Sequence, residues 1–335
     1  VCAPAPALCP RAVAAMLSLG CVALALVACS LATYLLPVLL QTLVYKEQDL
    51  KRKYGAEWAL VTGGSSGIGR ALVRKLAAQG LNVVVVALED ELLRGLEAEL
   101  TEAHPGQRFV AVGADLSRPE EALAQVQEAT AGLDVRLVFN NAGYLTFGLY
   151  ADLPAGRHLA NLRVNCTTAA LLAHHFAARM VAAGGRGCLV FTSSPAGQMP
   201  GPLAAIYGAT KAFLTNFGTS LAAELRGDGV DVLVVHPSPV NTNFYTAEAV
   251  TKSSSLAFFR STATTPETIA VAMLACVGRP FSVIVDQGYF SIGLQLLLKL
   301  VDFHMLAILM AQFMWLGSEY KGAIAERKAK AAKAQ

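Results

Sequence analysis

The chain has 335 residues, of which 54% are apolar and 15% charged, and its formal net charge is +3. High apolar content with low charge excludes an intrinsically disordered chain, and +3 is too mild for a dedicated nucleic-acid binder. An average soluble domain carries about 25% charge, so the mean hydropathy of +0.47 asks where the apolar surplus sits.

The surplus begins at the amino-terminal end. No charged residue lies between Arg11 and Lys46. A bilayer core of about 30 Å needs roughly 20 apolar helical residues, whereas the apolar core of a cleaved leader runs to only about 7–15. Residues 1–46 therefore read as a retained membrane anchor. Pro37 is expected to kink or end its helix near one interface. Lys46, Lys51, Arg52 and Lys53 follow the apolar stretch, against Arg11 before it, which predicts a main domain on the cytoplasmic side.

From Trp58 onward, β-branched runs alternate with helical patterns. Strands are predicted over 58–62, 82–86, 109–112, 136–140, 188–192, 230–235 and 281–285. Several are continuous apolar runs, the mark of strands buried on both faces of a parallel sheet. Residues 71–80 predict a helix that stops at Gly80, and EDELLRGLEAEL and PEEALAQVQEAT predict amphipathic surface helices. The fold class is α/β: a doubly wound parallel sheet of about seven strands with right-handed crossovers. No Ser/Gly-rich linker divides residues 47–286, which form one predicted domain.

Residues 287–318 are strongly apolar but include Lys299, Asp302 and His304. A clean span avoids central charges, so two short helices lying in or dipping into the interface are expected, with Trp315 and Tyr320 near headgroup level. A second span is the alternative. Residues 319–335 form a basic tail, read as a solvated helix or as a weak attraction to anionic lipid. The seven cysteines contain no CxxC pair, and their odd count and scatter suit a reducing compartment. His174 and His175 are adjacent, without the i,i+4 spacing of helical ligands, and no metal site is predicted.

The predicted strand at 58–62 runs into Thr62-Gly63-Gly64-Ser65-Ser66-Gly67-Ile68-Gly69 and then a helix. Backbone N–H groups and the helix dipole make such a turn an anion site, and glycines let the backbone approach a pyrophosphate. Gly63-x-Ser65-x-Gly67 also fits a hydrolase nucleophile elbow with Ser65 attacking. That reading fails on order, because the turn follows the first strand and only His236, among the later histidines, sits at a strand end.

Asp115-Leu116 follows the third strand, Asn140-Asn141-Ala142-Gly143 ends the fourth, Ser193-Ser194 ends the fifth, and Tyr207-Gly-Ala-Thr-Lys211 opens the next helix. With the glycine turn, and in this order over residues 57–285, these motifs resemble the short-chain dehydrogenase/reductase family. The resemblance implies a Rossmann-type fold and an NAD(P)-dependent oxidoreductase. Tyr207 and Lys211, at i and i+4, share one helix face. A phenol with a pKa of about 10 is a poor acid–base catalyst at pH 7, but a neighbouring ammonium favours the phenolate. Ser194 can donate to a substrate oxygen. By analogy Asn165 is the fourth catalytic member, holding a water in a proton relay, and Lys211 also binds the nicotinamide ribose.

The resemblance further assigns Thr62, Gly63, Ser65, Ser66, Gly67, Ile68 and Gly69 to the pyrophosphate. Asp115 and Leu116 fall to the adenine, and Asn141, Ala142 and Gly143 to the adenosine ribose side. Pro237, Val240 and Thr242 fall to the nicotinamide, although Ser238 stands where the family often has Gly. NADP(H) is favoured over NAD(H), although the usual basic clamp is missing and Arg70 is the nearest cation by sequence. The membrane-associated branch resembled includes 17β-hydroxysteroid dehydrogenase and very-long-chain 3-oxoacyl-CoA reductase, on Lys53-Tyr54-Gly55 and Pro202-Leu203…Ile206-Tyr207. Ser193 to Gln198 are similar to 3-ketodihydrosphingosine reductase. All act on a ketone or alcohol of a lipophilic molecule. The expectations are therefore lipid metabolism at the endoplasmic reticulum, a lipophilic small-molecule substrate, no nucleic-acid partner and, by analogy, a homodimer. An idle nucleotide-binding membrane scaffold is the alternative, against which the retained Asn165, Ser194, Tyr207 and Lys211 count.

Overall fold

A computed structural model describes residues 10–242, 244 and 263–334, with side chains from Ser18 on except at 330 and 334. The first nine residues of the predicted anchor lie outside the described residues. Seven strands form one sheet: β1 Trp58–Thr62, β2 Asn82–Ala87, β3 Phe109–Gly113, β4 Val135–Asn140, β5 Gly187–Thr192, β6 Val230–Pro237 and β7 Ile284–Gln287. Their order is β3-β2-β1-β4-β5-β6-β7, and every neighbouring pair is parallel. This is the doubly wound Rossmann arrangement. The order reverses between β1 and β4, and ligands bind such sheets outside the carboxyl ends of the strands at that switch point.

The continuous apolar runs are explained by alternation across the sheet. Ala59 and Val61 of β1 join one core layer, with Leu72 and Leu76 of α3 (Gly67–Ala78), whereas Trp58 and Leu60 join the opposite layer, with Phe176 of α7 (Thr168–Ala182). Each fully buried side chain of this kind contributes about 1.5–3 kcal/mol. Among the described residues, the remaining α-helices between the strands are α4 Glu91–Ala103, α5 Pro119–Ala129, α6 Ala155–Leu162, α8 Ala205–Glu224 and α9 Pro266–Cys276. Gly80, at φ +79°, stands just beyond the end of α3.

The last strand differs from its prediction. Phe281 takes φ +55° and is 66% exposed, so the strand starts only at Ile284 and continues through Asp286, which pairs with His236 of β6. The predicted run opens in a turn at Phe281, and only its last two residues, Ile284 and Val285, belong to the strand.

Helix α1, Pro10–Leu39, continues through Pro37 into a π-helical turn at Leu40–Val44. Pro37 therefore does not end the helix; the hydrogen-bond ladder widens a turn later, as a proline-disturbed helix can. Ser18–Val44 is long and apolar enough to cross a membrane by length and composition. Its final turns are docked on the sheet: Gln41, 9% exposed, donates from Nε2 to the carbonyls of Phe281 (2.8 Å) and Ile284 (3.0 Å). The connecting α2, Leu50–Tyr54, is strapped down as well, with Tyr54 Oη donating to Asp231 Oδ2 at 2.8 Å. Beyond β7 come α10 Tyr289–Leu300, α11 Phe303–Phe313 and α12 Ser318–Ala334. Helices α10 and α11 meet at 104°. Lys299, Asp302 and His304 gather at this elbow, where Asp302 caps α11 by accepting from the His304 amide at 2.8 Å.

Candidate active site

The carboxyl ends of β1, β4, β5 and β6 frame a cleft of about 280 Å³. On one side the chain leaves β1 through Gly63, at φ +63°, a conformation that favours glycine. A Cβ there would stand 2.9 Å from Ala142 Cα. A Cβ on Gly69 would run into the Gly63 carbonyl, so the turn can close onto α3 only without side chains at these points. Ser66 precedes α3, and its hydroxyl makes no capping bond, which leaves the first-turn N–H groups without a side-chain acceptor. This is a cradle for an anionic group.

The loop after β4 is held against this turn. Thr62 Oγ1 accepts from the amides of Asn141 and Ala142, both at 3.0 Å. Asn141 Nδ2 donates to the Thr62 carbonyl at 3.2 Å, and its Oδ1 accepts from Thr192 Oγ1 at 3.2 Å. Three strand ends are thereby fixed to one another.

The titratable side follows from α8. Tyr207 and Lys211 lie one turn apart, and Lys211 Nζ stands 5.6 Å from the centroid of the Tyr207 ring. Lys211 is 2% exposed, donates to the Thr192 carbonyl at 2.8 Å, and forms no ion pair among the described residues. Burial lowers its pKa from the ordinary 10.5 to about 8. The nearby Cys166 thiol is pushed up by burial to about 11, so it offers no anion at neutral pH. Ser194 Oγ accepts from the Ala196 amide at 3.1 Å, capping the short turn Pro195–Gly197, and its own proton stays available to an acceptor in the cleft.

Asn165 lies behind this wall, 1% exposed, in a π-helical turn at Arg163–Thr167 between α6 and α7. Its Oδ1 accepts from the Tyr144 amide at 2.8 Å, and its Nδ2 donates to Thr210 Oγ1 at 2.9 Å. It anchors the loop after β4 to α8. Widened turns of this kind recur at functional sites.

Of the residues singled out in the sequence, Gly63, Ser66, Gly67, Ile68, Asn141, Ala142, Gly143, Ser194, Tyr207, Lys211, Pro237, Val240 and Thr242 line the cleft. Thr62 and Ser65 are buried behind the glycine turn, and Gly69 packs beneath it. Asp115 and Leu116 stand outside the cleft wall. Asp115 accepts from the Ser117 amide at 2.9 Å, which holds its carboxyl below the usual range, and the Leu116 carbonyl accepts from Thr168 Oγ1 at 2.7 Å.

Sequence reasoning missed a buried polar network beneath the site. His236 is fully buried; its Nδ1 meets Asp286 Oδ1 at 2.8 Å and its Nε2 meets Thr215 Oγ1 at 2.9 Å. Thr215 Oγ1 and Ser193 Oγ both donate to the Lys211 carbonyl, at 3.0 and 2.7 Å. Gln198, just beyond the Ser194 turn, also contacts His236 Nδ1 at 2.8 Å. The backbone carrying Lys211 is thus clamped from below. The only sequence signal was His236 at a strand end; its partner stands 50 residues later.

A parallel Rossmann sheet, a glycine cradle and a Ser–Tyr–Lys cluster at one strand edge define a dinucleotide-dependent oxidoreductase. Residues 57–252 match the short chain dehydrogenase family, and the chain belongs to that family. Over 187 residues it is 38% identical to a 7beta-hydroxysteroid dehydrogenase of Collinsella aerofaciens, covering 56% of this chain and 70% of that protein. It is 30% identical over 209 residues to the inactive hydroxysteroid dehydrogenase-like protein 1 of Rattus norvegicus, covering 62% of this chain and 61% of that protein. It is 34% identical over 188 residues to the very-long-chain 3-oxoacyl-CoA reductase of Pyricularia oryzae, covering 55% of this chain and 56% of that protein. A solved structure of 7beta-hydroxysteroid dehydrogenase superposes with a TM-score of 0.67 at 30% identity, covering 76% of this chain and 95% of that one. The protein is an NAD(P)-dependent oxidoreductase.

Proposed function

We propose that the protein is a membrane-anchored, NADP(H)-dependent enzyme interconverting a ketone and a secondary alcohol on a lipophilic substrate of the 3-oxoacyl-CoA or 17β-hydroxysteroid type. The observation that carries this reading is the meeting of Ser194, Tyr207 and Lys211 in the cleft that the glycine turn closes. Gly63, Ser66, Gly67 and Ile68 would hold the pyrophosphate, and Lys211, Pro237, Val240 and Thr242 would hold the nicotinamide end. The bound nicotinamide supplies the hydride chemistry.

The chain's own residues handle the proton. Ser194 donates a hydrogen bond to the substrate oxygen. Tyr207 gives its phenolic proton to that oxygen during reduction and takes it back during oxidation. Lys211, charged at pH 7 with a pKa of about 8, stabilises the phenolate left behind. Asn165 holds the loop after β4 against α8 and so keeps the cluster together.

The cofactor preference is supported by charge. Arg70 and Arg74 of α3 share one carboxylate, Glu99, at 2.7 and 2.8 Å, which holds that carboxyl at about 2. Glu89, after β2, is already paired with Arg94 at 3.4 Å. Arg70, on the first turn of α3, is the cation that the extra phosphate of NADP(H) would draw from Glu99. The lipophilic substrate is supported by α1 and by the apolar helices after β7. By the same resemblance the protein works at the endoplasmic reticulum membrane, with its catalytic domain toward the cytoplasm. Dimerisation through α8 is supported by Phe213, 40% exposed and stacked on Phe217.

The test is an assay of detergent-solubilised protein with NADPH or NADH against a 3-oxoacyl-CoA, 3-ketosphinganine and a steroid ketone. Wild type should consume NADPH with one of them, and Tyr207→Phe should lose about 10²–10⁴-fold in turnover. The name of the rat relative favours a second reading, an idle scaffold. That reading requires no cofactor consumption with any ketone and no change in Tyr207→Phe.

A further inference from the structure

The direction in which α1 leaves the domain follows from its docking contacts. Going backward along the chain, Gln48 Nε2 donates to the carbonyls of Leu274, Ala275 and Val277, and Tyr45 Oη to that of Pro280. Gln41 reaches the carbonyls of Phe281 and Ile284, and Tyr34 Oη donates to Asp286 Oδ2 at 3.2 Å. The segment from Gln48 back to Tyr34 therefore runs alongside 274–286 toward the carboxyl end of β7. Residues 10–33 of the helix, about 36 Å at 1.5 Å per residue, continue past that edge of the sheet. This is the edge on which the cleft opens.

The second apolar region leaves from the same edge. Helix α10 starts directly after β7 and packs against α1, where Lys299 Nζ lies 6.0 Å from the Tyr34 ring, and against the turn that follows Ser194. Helix α11 has no buried residue, and Phe303, Met305, Ile308 and Phe313 are all more than half exposed. An apolar patch of this kind on a free surface marks an interaction site. Its 11 residues reach only about 16 Å, half of a bilayer core. The basic helix α12 returns behind it, and Arg327 binds Asp152 at 2.8 Å, back on the domain.

We infer that α10 and α11 enter the bilayer leaflet nearest the domain, beside α1, so that the active-site cleft opens onto the lipid surface and takes its substrate directly from that leaflet. The occupant of the apolar face is the bilayer, because the face is continuous with the candidate span and leaves the domain in the same direction. The elbow keeps Lys299, Asp302 and His304 together at headgroup depth while α11 lies along the interface with Phe303, Met305, Ile308 and Phe313 turned toward the acyl chains. This inference rests on the reading of α1 as a span, and it specifies the route by which the lipophilic substrate of that reading reaches Tyr207.

The chain carries its own reporter. Trp315, 56% exposed, is one of two tryptophans, and the other, Trp58, is buried in β1. Full-length protein in phosphatidylcholine vesicles should show quenching of Trp315 by phospholipids brominated near the headgroup, with Trp315→Phe giving the Trp58 background. The unquenched emission of Trp315 in such vesicles would overturn the inference. A second arm uses Leu300→Glu with Ile308→Glu, both at exposed positions. The KM for a vesicle-dissolved ketone should rise at least 10-fold, while kcat and KM for a short water-soluble ketone stay unchanged. Equal loss on both ketones, or no change on either, would also overturn it. If no ketone is turned over at all, the functional reading fails, yet the quenching result still decides this placement.

Discussion

Replacing Lys211 by methionine separates stability from catalysis. The ammonium is buried, and moving its pKa from 10.5 to about 8 costs the folded state about 3 kcal/mol at pH 7. Methionine fills similar space without the charge, but it leaves the Thr192 carbonyl without its donor at 2.8 Å, a loss of about 1–3 kcal/mol. Lys211→Met should therefore be as stable as wild type or up to about 2 kcal/mol more stable, at roughly 2–4 °C in Tm per kcal/mol for a domain of this size. Turnover should fall by about 10²–10⁴. The pH dependence has a definite sign. The folded pKa is lowered, so between pH 8 and 10.5 the unfolded chain holds more protons on Lys211 than the folded one. Wild-type stability gains across that window, and the variant lacks this gain. Thermal melts at pH 7 and pH 10, with turnover at saturating cofactor, make the test. A variant more than 2 kcal/mol less stable, or one that retains turnover, would refute the reasoning.

Two further outcomes follow from the same geometry. Gly69→Ala places a methyl against the Gly63 carbonyl and 2.8 Å from Asn141 Nδ2; cofactor titration by fluorescence should show binding lost by at least 10-fold, with about 1–3 kcal/mol of destabilisation in urea melts. His236→Ala leaves Asp286, 6% exposed, with Tyr34 and Ser291 as its remaining donors and removes the ring partner of Thr215; denaturant unfolding should show a loss of about 1–3 kcal/mol.

Much of the site is legible in the sequence because its chemistry depends on local spacing. Tyr207 and Lys211 face one way because they are one helical turn apart. The glycine turn is readable because strand, turn and helix follow one another without a break. The continuous apolar runs announce a sheet covered on both faces. The polar clamp under Lys211 is not legible in this way. His236 and Asp286 lie in adjacent strands brought together by parallel pairing, and sequence spacing carries no record of that neighbour. The motif assigns Asp115 and Leu116 to the cofactor, but their place relative to the cleft wall depends on how β3 sits at the sheet edge.

The sequence by itself determined the α/β alternation, the catalytic helix face and the presence of two apolar segments outside the domain. Only the tertiary structure decided how these parts face one another. Helix α1 crosses Pro37 and runs along β7 because Gln41 and Tyr34 find polar partners there. That docking turns its free length toward the cleft, and the turn after β7 sends α10 and α11 the same way. Local residue patterns fix which surfaces are apolar, but the direction in which they point is set by long-range hydrogen bonds and packing.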